Sequence, residues 1–148
     1  MSDEDYMRQA LALALQAEAS GEVPVGAVLV QNDAIIGSGW NRPVSTADPT
    51  SHAEIEAIRA GARHTKNYRL EGATLYVSLE PCVMCAGAIV TARINRLVFA
   101  ARDLRFGGVR SKFRLADSDL LNHRVKVEEG LLAAESAELM GNFFRRRR

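Results

Sequence analysis

Apolar and polar positions divide the chain into alternating helical and extended stretches. From Asp5 to Ala19, Met7, Leu11, Ala14 and Leu15 fall at helical spacing, with Ser2 or Asp3 available as N-cap and Gly21 just past the end. Val25 to Val30 is instead continuously apolar and rich in β-branched residues. Asn32-Asp33 then turns the chain into Ile35–Gly39, which predicts a hairpin. Residues 41–51 hold Pro43, Asp48, Pro49 and several hydroxyl side chains, a loop composition, and lead to a helix from about His52 to Gly61. Ala73 to Ser78 reads as a buried strand. Pro81 opens a further helix to about Ala92, because the missing proline N–H would have no partner in a first helical turn. Ile94–Ala100 gives a fourth strand, a loop follows around Gly107-Gly108, Arg124–Glu128 is a short fifth strand, and a last helix runs from Leu131 to about Phe144. Strands alternating with helices predict an α/β sandwich around one sheet.

A length of 148 residues, 47% of them hydrophobic, suits one domain spanning 1–148 that buries roughly two-thirds of its unfolded surface. The chain starts Met-Ser-Asp-Glu-Asp, with no positive region ahead of an apolar run. Neither a secretory signal nor a membrane span is expected, and the expected location is the cytoplasm. Charge is unevenly spread: residues 1–92 carry six Lys/Arg against eleven Asp/Glu, whereas residues 93–148 carry thirteen against seven. Arg93, Arg96, Arg102, Arg105, Arg110, Lys112 and Arg114 cluster around a single acid, Asp103, and Arg145–Arg148 form a basic tail. Two readings stand at this point. Both clusters share a polyanion-facing surface, or they are a solvated surface and a frayed tail.

The chemistry concentrates in His52-Ala-Glu54 and Pro81-Cys-Val-Met-Cys85. One imidazole and two thiols are ligands of the right type for zinc, and three protein ligands leave a fourth tetrahedral position open, as catalytic sites require. Cys82 and Cys85, at i and i+3, share one helix face, and a helix N-terminus stabilises thiolates. Two thiolates neutralise the zinc charge, so bound water is acidified less than by three histidines and a nearby proton acceptor becomes valuable. Glu54 is that candidate, as base towards water and then acid towards the departing ammonia. A redox Cys-x-x-Cys pair would leave His52 and Glu54 without a role. A structural zinc site usually needs four protein ligands, and neither His64 nor His123 adds a ligand pair at suitable spacing.

His-x-Glu followed by Pro-Cys-x-x-Cys is the general signature of zinc nucleobase deaminases, for which the tRNA deaminases are a standing example. The chain resembles the bacterial tRNA-specific adenosine deaminases along essentially its whole length. The resemblance rests on Glu22-Val-Pro-Val-Gly-Ala-Val-Leu-Val30, Gly39-Trp-Asn-Arg-Pro43, Asp48-Pro-Thr-Ser-His-Ala-Glu-Ile55, Asn67-Tyr-Arg-Leu70, Leu79-Glu-Pro-Cys-Val-Met-Cys-Ala-Gly-Ala88, Ala101-Arg-Asp103 and Asn122-His-Arg-Val125. It implies a cytidine deaminase-like three-layer α/β/α sandwich with a central five-stranded mixed sheet. It also implies hydrolytic conversion of adenosine to inosine at the wobble position of a tRNA anticodon stem-loop, by zinc-bound hydroxide and the Glu54 proton shuttle, in a homodimer with one Zn2+ per subunit.

By the same resemblance, Asn41 hydrogen-bonds the flipped adenosine, the Ala53 backbone lines the pocket, Asp103 and Arg105 touch the anticodon-loop backbone, and Phe144 holds flanking nucleotides. Read without it, Asn41 is a turn residue, Asp103 pairs with a neighbouring arginine, and Phe143 or Phe144 belongs to the core. Ser51, Phe106 and Arg110 depart from the family pattern, which bears on RNA contacts rather than on the zinc chemistry. Two other functions fit parts of the sequence: deamination of a free base such as cytosine or guanine, and zinc-dependent nucleic-acid binding without catalysis. The basic segment argues against the first, and Glu54 against the second.

Overall fold

The computed structural model describes residues 1–147, so that Arg148 of the basic tail lies outside the described residues. Ser2 starts the first helix: its hydroxyl accepts from the Asp5 N–H while the Asp5 carboxylate accepts from the Ser2 N–H, a reciprocal cap for α1 (Asp3–Ala19). The hairpin follows as β1 (Gly26–Gln31) and β2 (Ala34–Trp40). Asn32 and Asp33 have φ of 51° and 60°, the left-handed values a two-residue hairpin turn requires. The predicted loop after Asn41 contains one helical turn, α2 (Pro43–Thr46), started by proline.

The remaining elements are α3 (Ala53–Thr65), β3 (Thr74–Leu79), α4 (Val83–Thr91), β4 (Arg96–Ala101), β5 (Lys126–Glu129) and α5 (Ala133–Arg146). Three helices begin later than expected: α5 starts at Ala133 rather than Leu131, and α3 and α4 are delayed for one shared reason. His52 (φ −78°, ψ 158°) and Cys82 (φ −74°, ψ 179°) are extended residues that precede α3 and α4 rather than members of their first turns.

The sheet order is β2-β1-β3-β4-β5; β1 is antiparallel to both neighbours, while β3, β4 and β5 are mutually parallel. Four strands therefore point one way and β1 alone opposes them. The outgoing ends of β2, β3 and β4 deliver Asn41, Glu80–Cys82 and Asp103 to the same edge of the sheet. On one face, Tyr6, Met7 and Ala10 of α1 and Leu132 ahead of α5 pack against Val28, Val30, Tyr76 and Val98. On the other, Ala53 and Ala57 of α3 and Ala86 and Ile89 of α4 cover Ala27, Leu29, Leu75, Val77, Leu97 and Phe99. This is the three-layer sandwich with a five-stranded mixed sheet, and each large buried aliphatic contributes about 1.5–3 kcal/mol.

Glycines fix how closely α3 approaches the sheet. A β-carbon on Gly37 would sit 2.6 Å from the Gly61 nitrogen, and one on Gly39 would sit 2.7 Å from the Ala53 carbonyl oxygen. The helix backbone thus rests directly on β2, which sets the height of its first turn and of His52 and Glu54. Among the described residues no helix is long and apolar enough to cross a membrane.

Candidate active site

The N-termini of α3 and α4 converge beside the outgoing end of β3. There His52 Nδ1 lies 3.5 Å from Cys82 Sγ and 3.5 Å from Cys85 Sγ. Ligand atoms of the three residues all fall within 4.8 Å of one another, placed to hold a metal ion. Cys85 is buried, Cys82 and His52 are half-buried, and Glu54, two residues into α3, is only 4% exposed.

The protein groups by themselves share protons unevenly. Contact with Cys85 pulls the Cys82 thiol down to about 4 against the effect of burial, with His52 assisting, and the same contact pushes Cys85 upward. Contact with Cys82 raises His52. Burial pushes the Glu54 carboxyl up to about 7. A cation at the centre is what allows both sulfurs to be thiolates together, since metal binding displaces ligand protons.

A cavity of about 330 Å³ opens on His52, Glu54 and Cys82. Val23, Val25, Leu79 and Met140 supply apolar wall, while Asn41, Glu80, Asp103 and Arg105 supply polar groups, the mix typical of a small-ligand site. Phe106 and Phe144 complete the lining and are both exposed. The predicted site residues Asn41, His52, Glu54, Cys82, Asp103, Arg105 and Phe144 are thus brought to one cavity. Cys85 reaches the same point from behind, as a ligand candidate outside the lining. Ala53 is fully buried at the start of α3 and is not among the lining residues. Of the two C-terminal phenylalanines, Phe143 is core, beneath the Arg147 guanidinium at 4.3 Å, and Phe144 faces the cavity.

Two buried carboxylates that the sequence reading passed over hold the walls in place. Glu80, 2% exposed, accepts hydrogen bonds from the backbone N–H groups of Asp103, Val109, Arg110 and Ser111 and from the Ser111 hydroxyl. Burial alone would raise its pKa, but these bonds outweigh burial and hold it below the usual carboxylate range. Glu22, 3% exposed, does the same for α2, accepting from the Val44 and Ser45 N–H groups and the Ser45 hydroxyl. A signal was present in the sequence for Glu80, which interrupts an apolar run, and a buried carboxylate must find donors; Glu22, after Ser20-Gly21, carried no such mark.

The basic segment needs correction. Among the described residues, ion pairs take up Arg96 (with Asp3 and Glu128), Arg102 (with Glu129) and Arg110 (with Asp117), and not Arg93, Arg105, Lys112 or Arg114. Of the tail's described residues, Arg145 and Arg146 close α5, and Arg146 lies 3.5 Å from Glu18. Of the departures from family pattern, Arg110 turns inward and Ser51 is buried with its hydroxyl donating to Glu56, while Phe106 stays 64% exposed.

A mixed sheet flanked by helix layers, with a His/Cys/Cys group and a buried glutamate where two helix N-termini meet, defines a deaminase of the cytidine deaminase-like class. A family model for MafB19-like deaminases matches residues 1–148. A tRNA-specific adenosine deaminase of Haemophilus influenzae is 53% identical over 99% of this chain and 85% of its own length; one from Streptococcus pyogenes is 43% identical over 97% and 84%. A solved structure from studies of A-to-I editing by tRNA:A34 deaminases matches with a TM-score of 0.88 at 44% identity, covering 91% of this chain and 98% of that one. A guanine deaminase from Nitrosomonas europaea matches with a TM-score of 0.84 at 26% identity, covering 96% and 84%. The chain belongs to the tRNA-specific adenosine deaminase family.

Proposed function

We propose that this protein hydrolyses adenosine to inosine at the wobble position of a tRNA anticodon, releasing ammonia, with zinc held by His52, Cys82 and Cys85. One observation carries the metal assignment. Tetrahedral zinc with Zn–N of about 2.05 Å and Zn–S of about 2.3 Å demands N···S separations of about 3.6 Å. The two found are both 3.5 Å. When bound, zinc supplies a Lewis acid that lowers the pKa of water.

Glu54 moves the protons. Its carboxyl, buried and two residues from His52, takes a proton from the attacking water, gives it to a ring nitrogen of the purine, and then helps protonate the departing amino group. Asn41 orients the base by hydrogen bonding, Asp103 and Arg105 meet the RNA backbone, and Phe144 supports a flanking nucleotide. The cavity accommodates a base only after it leaves its stack, which favours an unpaired loop as substrate. The protein acts as one domain, as a homodimer with one Zn2+ per subunit, in the cytoplasm.

Deamination of free guanine is the second reading, favoured by the fold shared with guanine deaminases of Nitrosomonas europaea and Bacillus subtilis. The 44% identity to the tRNA:A34 enzyme against 26% and 30% to these guanine enzymes supports RNA. The test offers the zinc-loaded protein an anticodon stem-loop with wobble adenosine, its guanosine counterpart, free adenosine, cytosine and guanine, and measures ammonia and inosine. Inosine in the wobble-adenosine RNA alone is expected; turnover of a free base with inert RNA would overturn the tRNA assignment.

A further inference from the structure

Phe106 combines three properties that ordinary surface phenylalanines do not. The residue is 64% exposed and lines the catalytic cavity. The Arg105 guanidinium lies over it, 5.7 Å from the ring centroid. Its backbone is fastened from both sides. Upstream, Asp103 Oδ1 accepts the N–H groups of Arg105 and Phe106 at 3.1 and 3.2 Å. Downstream, Gly107 bridges to Cys82, the Gly108 N–H donates to the Pro81 carbonyl at 2.8 Å, and Glu80 gathers the N–H groups of Val109, Arg110 and Ser111. A large apolar ring is thus presented to solvent on a rigid mount.

A flat apolar face beside a guanidinium is the surface on which unpaired bases stack. The cavity takes the reacting base, so its neighbours in the RNA loop must lie on the rim. Exposed Arg105, Lys112 and Arg114 in the same loop supply phosphate-neutralising charge.

We infer that Phe106 is a specificity-determining residue: it stacks on a nucleotide adjoining the target adenosine and so ties turnover to sequence context. This rests on the wobble-deamination reading. The experiment measures kcat/KM of zinc-loaded parent, Phe106→Ala and Phe106→Tyr on the wobble-adenosine stem-loop, and on versions abasic immediately 5′ or immediately 3′ of that adenosine. Phe106→Ala is expected to lose about 5- to 150-fold on the intact RNA and Phe106→Tyr little, the range that loss of one stacked base produces. On one of the two abasic RNAs the alanine penalty should shrink towards onefold. An unchanged penalty on both abasic RNAs, no penalty on the intact RNA, or an altered sedimentation coefficient for Phe106→Ala would each overturn the inference, the last by placing the ring in a subunit contact. A parent chain inert on the stem-loop would overturn the wobble reading together with this one, whereas an active parent without context-dependent loss strikes this one alone.

Discussion

Replacing Glu80 by alanine releases the whole wall that carries Asp103, Arg105 and Phe106. Four backbone N–H groups and the Ser111 hydroxyl lose their common acceptor. The Val109 N–H is fully buried and cannot turn to water, which costs about 1–3 kcal/mol; the partly buried donors regain water and cost about 0.5–1 kcal/mol each. The total is about 3–7 kcal/mol. For a chain of this size, that lowers Tm by about 6–28 °C. Glu80→Gln keeps one acceptor oxygen but turns an amide donor towards other donors, so an intermediate loss is expected. Thermal melts with amide exchange at Asp103 and at 109–111 make the assay, and faster exchange should be confined to this loop. Gly107 offers an internal control, because any β-carbon there overlaps the Glu80 carboxylate. Gly107→Ala should be costly in the parent and much cheaper in a Glu80→Ala background. A Tm change under about 2 °C with unaltered exchange would refute the reasoning.

Glu54→Gln should retain zinc yet lose about 10²- to 10⁴-fold in kcat, measured as inosine formed per metal-loaded subunit, and retained turnover would remove it from proton transfer. Hydrogen bonds from Arg96 and Tyr76 hold Asp3 at about 2, below its ordinary 3.8. A depressed folded pKa means its stabilisation is present above about pH 4 and fades as pH falls towards 2. Asp3→Asn should therefore melt lower than the parent at pH 7, and the gap should close over that acid window; a gap that persists at pH 2 contradicts the ion pair as its source. If Arg93, Arg105, Lys112 and Arg114 meet about three or four phosphates, log affinity for the stem-loop should fall against log salt with a slope of about −2 to −3.5. A flat plot, read by fluorescence anisotropy, would rule out that contact set.

The order of elements was legible because periodicity changes sharply along this chain, and Asn32-Asp33 named its own turn. The gathering of His52, Cys82 and Cys85 at one point was legible because these side chains are chemically unlike their surroundings. Their position ahead of the helices was not, since a capping residue and a first-turn residue look alike in a hydrophobic pattern and differ only in ψ. Arg96 and Arg102 looked like part of an RNA surface because their acidic partners, Asp3, Glu128 and Glu129, come from remote segments, while Arg110 meets Asp117 within its own loop, where an irregular backbone hides the pairing from any periodic pattern. Remoteness also explains why Glu22 and Glu80 were passed over. Each acts on backbone more than twenty residues away, and no local pattern records such a pairing.

The division between strand ends and helix starts separates two kinds of inheritance. The metal ligands and Glu54 are anchored to helix N-termini pressed onto the sheet, where a single β-carbon at Gly39 would collide. The polar cavity residues Asn41, Asp103 and Arg105 stand at the starts of the loops after β2 and β4, and each of these loops is buckled by one carboxylate from outside it, Glu22 or Glu80. Inheritance is not equally free for the two loops: Glu80 stands two positions before Cys82 and Gly107 bridges to Cys82, so the β4 loop changes only together with the His/Cys/Cys group, while the β2 loop, held by Glu22 from ahead of β1, can change on its own.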